Sequence, residues 1–432
     1  MAAVKSRELA LAGGAPAVTM SAPRWPVTGK ADEKRMAEVV RSGNWSWLGV
    51  HERAFCEEYA RFIGGKYCVC LANGTVTIQC ALQAVGVVPG DEVIVPGMTW
   101  VATAQAALDV GANVVLADID PETLCIDPNA LEKAVTRRTR AIIPVHLYGC
   151  MCDMDAIMKI AAKHKLKVVE DVAHQQGSRW RNKGAGAIGD AGSYSFQQSK
   201  ILTSGEGGAV ICNDRSIYET IFALKQVGWK PKDAGKSWFD NLEPGNRYGH
   251  NYRITEMQCV LLRGGLSRLA GQNRRREDFA NAFAHGLKEI GGPLRAVRRD
   301  PRVTGQAYYA MTLAYDPGRA GGLARGDYLA ALKAEGCSFG GIYWPVYASP
   351  LLNLFDSTSP IPFRDPKRVK EFRSMKLPNV ERAFRETAVT LSHTHMLGSR
   401  AYLKQILAAV RKVNDNLKKV KDICEARRKA AG

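Results

Sequence analysis

Two rhythms of apolar residues run along the chain. Between residues 65 and 215, β-rich runs at 67–71, 92–96, 113–119, 140–148, 167–172, 192–196 and 209–212 are almost continuously apolar, and stretches between the early ones, such as 76–85 and 131–135, carry helical spacing. Strands apolar on both faces and separated by helices predict an α/β fold with a seven-stranded, mostly parallel sheet. Ligands collect at the carboxyl ends of such strands. Beyond this region the pattern changes to a long helix over 274–290, a strand over 306–315, a Gly-rich turn at 318–326 and a helix over 327–335. Leu403, Ile406, Leu407, Val410, Val413, Leu417, Val420 and Ile423 then recur every three or four residues, which predicts one long amphipathic terminal helix. The expected layout is an N-terminal segment (1–25), a large domain (26–270) and a smaller α+β domain (271–432). The change of character falls near 265–275.

Composition narrows the class. The chain has 432 residues, 46% hydrophobic and 24% charged, the balance of a chain that buries a core. No apolar run reaches the length that spans a bilayer. Lys5, Arg7 and Glu8, with Gly13, Gly14 and Pro16, break up what would have to be a signal core, so a cytoplasmic protein is expected. The formal charge of +18 gathers in the last third, at Arg274–Arg276, Arg295, Arg298, Arg299 and around Lys418–Lys421. It accompanies no nucleic-acid motif, and a solvated face is its plain reading. The eleven cysteines lie in apolar stretches without a CxxC pair and read as buried free thiols, with no metal site expected.

Gly184-Ala-Gly-Ala-Ile-Gly189 matches the dinucleotide fingerprint GxGxxG. That motif needs a strand running in and a helix running out, whose N-terminus holds the pyrophosphate. Here the strand follows the glycines. A loop of small residues is expected instead.

Three features at strand ends point to one cofactor. The strand Lys167-Val-Val-Glu-Asp171 ends in two acids with His174 close behind, and Lys200 follows the strand around Ser195, just before Thr203-Ser-Gly-Glu-Gly-Gly208. A lysine in an apolar, Gly-rich setting is costly to keep charged, which makes it a usable amine nucleophile, although a loop lysine at the surface is the commoner fate. Pyridoxal phosphate requires such an amine for its aldehyde and a carboxylate for its pyridine nitrogen, and Lys200 and Asp171 supply that pair. Asn73-Gly74-Thr75, between a strand and a helix, suits a phosphate and equally suits a plain helix cap. Ser195 is a second phosphate donor or an ordinary strand serine. Trp100 can lie on the cofactor's face or simply pack.

The order Asn73-Gly-Thr75, Pro89-Gly-Asp-Glu-Val-Ile-Val-Pro96, Glu170-Asp171, Ser195-Phe196 with Lys200, Gly205-Glu-Gly-Gly208 and Asn251-Tyr-Arg-Ile-Thr-Glu256 resembles the DegT/StrS family of pyridoxal-phosphate aminotransferases acting on keto-sugars and keto-cyclitols. The resemblance covers nearly the whole chain and implies the fold-type I architecture. It implies that Lys200 carries the cofactor covalently and moves the proton, that Asp171 pairs with the pyridine nitrogen and that His174 stands beside the ring. Gly74, Thr75 and Ser195 would hold the phosphate, and Trp100 would stack. The asparagine matching Asn251 reaches the neighbouring subunit's cofactor in this family, which implies a homodimer with shared sites.

Glu8-Leu-Ala-Leu-Ala-Gly-Gly14, Phe196-Gln-Gln-Ser-Lys200 and His393-Thr-His-Met-Leu-Gly398 are most similar to the branch that uses L-glutamine to aminate scyllo-inosose or its 2-deoxy relative. The expected reaction transfers an amino group from L-glutamine or L-glutamate to a cyclic ketone. The alternatives are a nucleotide-linked keto-sugar acceptor or an aminohydroxybenzoate synthase-like reaction. His393 and His395, at i and i+2 with no third ligand in view, are weak evidence for a metal. Gly340-Gly-Ile-Tyr-Trp-Pro-Val-Tyr347 departs from the family's substrate-side segment, and Tyr343 and Trp344 are expected to fill the small domain's core rather than line a pocket.

Overall fold

The structure, a computed structural model, describes residues 8–47, 49–232, 241–352, 372 and 374–431. Lys5 and Arg7 lie outside the described residues. Seven strands build the main sheet: β1 (Tyr67–Leu71), β2 (Glu92–Pro96), β3 (Asn113–Ala117), β4 (Thr139–Ile142), β5 (Lys167–Asp171), β6 (Ala191–Ser195) and β7 (Gly208–Cys212). Their order is β1-β7-β6-β5-β4-β2-β3, and only β7 runs antiparallel to its neighbours. The fold is α/β with a mostly parallel sheet. β2, β6 and β7 are buried at every position, which is why they read as unbroken apolar or small-residue runs.

Two expected strands are shorter, for local reasons. The run at 140–148 leaves the ladder after Ile142, where Pro144 has no N–H to donate. Residues 143–148 bend toward the strand ends, with only the Val145–Asp171 bridge left. The run at 113–119 stops at Ala117 because the Asp118 carboxylate accepts the amides of Ile119, Asn379 and Val380.

The helix expected over 274–290 begins at Glu256 and runs to Ile290; here it is α3, after α1 (Gly74–Ala84) and α2 (Ala102–Asp109). Thr255 and Gln258 form a capping box at its start. Cys259, Leu262 and Leu269 of α3 pack with the large sheet, whereas Phe279, Phe283 and Leu287 belong to a second core cluster. Leu9 and Val18 near the N-terminus join that second cluster. It also holds an antiparallel sheet of β8 (Leu294–Ala296), β9 (Ala310–Tyr315) and β10 (Ala388–Ser392), in that order. The expected single terminal helix is two, α4 (Arg400–Asn414) and α5 (Leu417–Ala431). At the break the Asn416 side-chain amide donates to Lys412 O at 2.9 Å, an alternative bond that competes with continuing the helix.

The Gly184–Gly189 loop wraps an anion of its own chain. The amides of Gly186, Ile188 and Gly189 donate to the Glu170 carboxylate at 2.8, 2.8 and 2.7 Å. His146 Nε2 lies 3.0 Å from the same carboxylate, while the Cys152 amide donates to His146 Nδ1. The glycines therefore serve an internal carboxylate, which locks the strand immediately before Asp171.

Candidate active site

A cavity of about 420 Å³ opens at the carboxyl ends of β5 and β6. Its wall brings together Gly74, Thr75, Trp100, Asp171, His174, Ser195 and Lys200. Asn251 is not part of this wall; it is exposed and bridges Gln226 through the backbone.

At one end stands the first turn of α1. Asn73 caps it, its side chain accepting the Val76 amide at 3.0 Å, which leaves the Gly74 and Thr75 amides without intrahelical acceptors. A Cβ on Gly74 would lie 2.7 Å from Ser195 Cβ, so only glycine lets the turn close on the end of β6. The result is a small cradle of amides, the Thr75 and Ser195 hydroxyls and a positive helix terminus, a donor set that fits a phosphate.

In the middle of the cavity lie Asp171, 6% exposed, and Lys200, 8% exposed. Burial pushes the Asp171 carboxyl above its usual range, opposed by the Ala173 amide, the Thr103 hydroxyl and the charge of Lys200. Burial pulls Lys200 down to about 8, against the pull of Asp171. Its Nζ sits 4.5 Å above the centre of the Tyr309 ring. Lys200 is held in a tight turn: its amide donates to Gln197 O, and Gln197 Oε1 accepts from both the Ser199 amide and hydroxyl.

His174 stays neutral, its pKa pushed well below the ordinary histidine value by burial and by Lys200. The Tyr148 amide donates to its Nδ1 at 3.1 Å, so the ring proton sits on Nε2, 3.4 Å from the Tyr343 hydroxyl. The ring stacks on Tyr309 at 4.0 Å. Trp100, 46% exposed, lies 5.4 Å from the Tyr343 ring.

Thr103, Ser193, Ser199, Glu206, Tyr309 and Tyr343 also line the cavity. Tyr343 faces His174, Tyr148 and Trp100 instead of filling the small domain's core, and Trp344 is 48% exposed. Thr103 stood one helical turn after Trp100, a spacing that could have found it. Tyr343 lies in the segment that resembles the family's substrate side, where core packing was the expectation, and Tyr309 gave no local signal. Among the described residues Lys200 is the only Lys or Arg in the cavity wall.

His393 and His395 serve separate partners. His393 Nε2 lies 3.0 Å from Ser199 O and its Nδ1 faces Arg276, whereas His395 pairs with the Tyr402 hydroxyl. The described cysteines are free and buried. Three of them, Cys56, Cys68 and Cys70, have sulfurs within 4.8 Å of one another, away from the cavity wall.

A mostly parallel α/β sheet with a buried lysine and carboxylate at its strand ends, beside a phosphate-sized cradle, defines the class of fold-type I aminotransferases. The model of the DegT/DnrJ/EryC1/StrS aminotransferase family matches residues 26–362, and the chain belongs to that family. It is 39% identical over 418 residues (95% of this chain, 98% of the relative) to a Streptoalloteichus tenebrarius protein provisionally named L-glutamine:3-amino-2,3-dideoxy-scyllo-inosose aminotransferase. It is 37% identical over 427 residues (95% and 99%) to the L-glutamine:scyllo-inosose aminotransferase of Streptomyces griseus. Among solved structures, 3-amino-5-hydroxybenzoic acid synthase is similar with a TM-score of 0.78 at 30% identity, covering 90% of this chain and 98% of that one. The protein is thus an aminotransferase by family, and pyridoxal 5'-phosphate is the family's usual cofactor.

Proposed function

We propose that this enzyme binds pyridoxal 5'-phosphate and moves an amino group from L-glutamine or L-glutamate to a keto-cyclitol such as scyllo-inosose or 2-deoxy-scyllo-inosose. The observation that carries the reading is the single cavity in which buried Lys200 and Asp171 stand beside the Gly74–Thr75–Ser195 cradle. When bound, the cofactor supplies an aldehyde for an amine and a ring that accepts electrons. The cradle would hold its phosphate, Asp171 would hold its ring nitrogen, and Trp100 and His174 would stand beside the ring. Lys200 would be the amine that holds the aldehyde, through Nζ. Nζ of Lys200, neutral for much of the time near pH 8, would take a proton from the substrate carbon and return it. Neutral His174 keeps a second positive charge out of the site.

The nature of the acceptor is supported by the wall's charge. Within this cavity's wall a diphosphate would meet no Lys or Arg other than Lys200 among the described residues, whereas hydroxyls and rings at Tyr309, Tyr343 and Trp100 suit a neutral polyol. The names of the inosose-acting relatives agree with this reading. We further propose a cytoplasmic homodimer in which Asn251, exposed and outside the wall of its own cavity, completes the partner's cradle, and a division of the chain at about residue 270. The test is to offer L-glutamine or L-glutamate with a panel of inososes and nucleotide-linked keto-sugars and identify the aminated product by mass spectrometry. Amination of an inosose is expected; amination of nucleotide-linked ketones alone would refute the acceptor class.

A further inference from the structure

Asp171 is gripped on both carboxylate oxygens. The Ala173 amide donates to Oδ1 at 3.1 Å, and the Thr103 hydroxyl donates to Oδ2 at 2.9 Å. Because Thr103 spends its only proton on Asp171, the Thr99 hydroxyl 2.9 Å away must donate to the Thr103 oxygen. Thr99 and Thr103 are buried, 2% and 1% exposed, at the cavity wall. Both flank Trp100 on the entry to α2, which places the polar relay and the exposed ring on one turn.

We infer that Thr103, backed by Thr99, is a positioning residue that keeps the Asp171 carboxylate ionised and aimed at the ring nitrogen of the cofactor. The inference rests on the cofactor reading above. Burial favours the protonated carboxyl, and a protonated carboxyl can no longer offer a negative charge to a pyridinium. Two donated hydrogen bonds oppose that, and the second is strengthened because its donor is itself polarised by Thr99. The other groups facing Asp171 are Lys200 from the turn after β6, His146 from the segment after β4 and Tyr343 from the loop before residue 345. Of these Lys200 is committed to the aldehyde when cofactor is present, and His146 spends its Nε2 proton on Glu170. The Ala173 amide and the hydroxyl relay are thus the supports that survive loading of the site, and of the two only the relay is built from side chains.

The experiment compares Thr103→Val, Thr103→Ser and Thr99→Val as purified holoenzymes, with circular dichroism to check folding. Two quantities are read: the dissociation constant for pyridoxal 5'-phosphate and the pH at which the bound chromophore changes absorbance. Loss of a hydrogen bond to a charged group predicts binding weakened about tenfold or more in Thr103→Val. It also predicts a chromophore transition moved to higher pH, since an unprotonated ring nitrogen withdraws less charge from the imine. Thr103→Ser should restore both values, and Thr99→Val should show the same shifts at smaller size. A Thr103→Val protein with wild-type affinity and transition overturns the inference, as does a weakened affinity with an unmoved transition, which would mark a packing role. If Thr103→Val does not fold, the Thr99→Val shift decides the matter in the same way. A wild-type protein that binds no cofactor instead refutes the reading on which this rests.

Discussion

The two ends of the cavity are built by different means. The cradle end is made of backbone: a helix terminus, a strand end and a glycine that lets them touch, all from residues close to their strands. The other part of the wall is made of side chains, Trp100, Tyr309 and Tyr343, from three segments far apart in sequence, with Tyr148 packed behind Tyr343. An end that holds an invariant group can be fixed by local geometry. An end that must admit two substrates in turn is assembled from rings and hydroxyls that each substrate meets differently.

Removing the amine between the two ends should have the largest effect. Lys200→Ala should lower turnover by more than about 10³-fold while leaving the fold intact, as read by steady-state kinetics and melting. Next comes the cradle. Gly74→Ala drives a methyl into Ser195 and should weaken cofactor affinity about tenfold or more, a loss measured by equilibrium titration, with less effect on acceptor KM. The substrate wall should behave oppositely. Tyr343→Phe should raise acceptor KM about fivefold with cofactor affinity unchanged, and a reversed result would erase the contrast between the ends.

Smaller still is a pH effect behind the lysine turn, where His393 lies against Ser199 O. Burial and Arg276 hold His393 neutral, with a pKa of about 3. The unfolded chain takes up a proton below about 6.5 that the folded site refuses, so stability present above that pH is lost as the pH falls from about 6.5 toward 3. Replacing His393 with Gln should flatten the acid side of the melting-temperature profile, by about 1–2 kcal/mol at pH 5. The neighbouring His174 and His395 add to the same slope and remain in that variant.

The same contrast explains what could be read in the sequence. Lys200, Asp171, Gly74, Thr75 and Ser195 sit at the ends of apolar runs, and the period-two and near-continuous patterns that mark those runs also mark their ends. The placement of Tyr343 could not be read this way, because its neighbours Tyr148 and His174 meet it only in the folded chain, and an aromatic residue in a loop looks like core until its partners are known. The start of α3 was hidden because Gly264, Gly265 and Gly271 dilute its periodicity, although Gly264 is there to admit Asp32, whose Oδ1 would lie 1.8 Å from any Cβ. The break between α4 and α5 is invisible to a hydrophobic pattern that runs on through it. GxGxxG was rightly set aside from its context, and its resemblance to a dinucleotide clamp has a physical cause: amides arranged for an anion look alike whether the anion is a ligand or, as here, Glu170.

The most direct measurement is reduction of the purified enzyme, loaded with pyridoxal 5'-phosphate, with borohydride, followed by peptide mass mapping. The account predicts a visible absorbance that bleaches on reduction and one pyridoxyl adduct, on Lys200. A colourless protein, or an adduct on any other lysine, would contradict it.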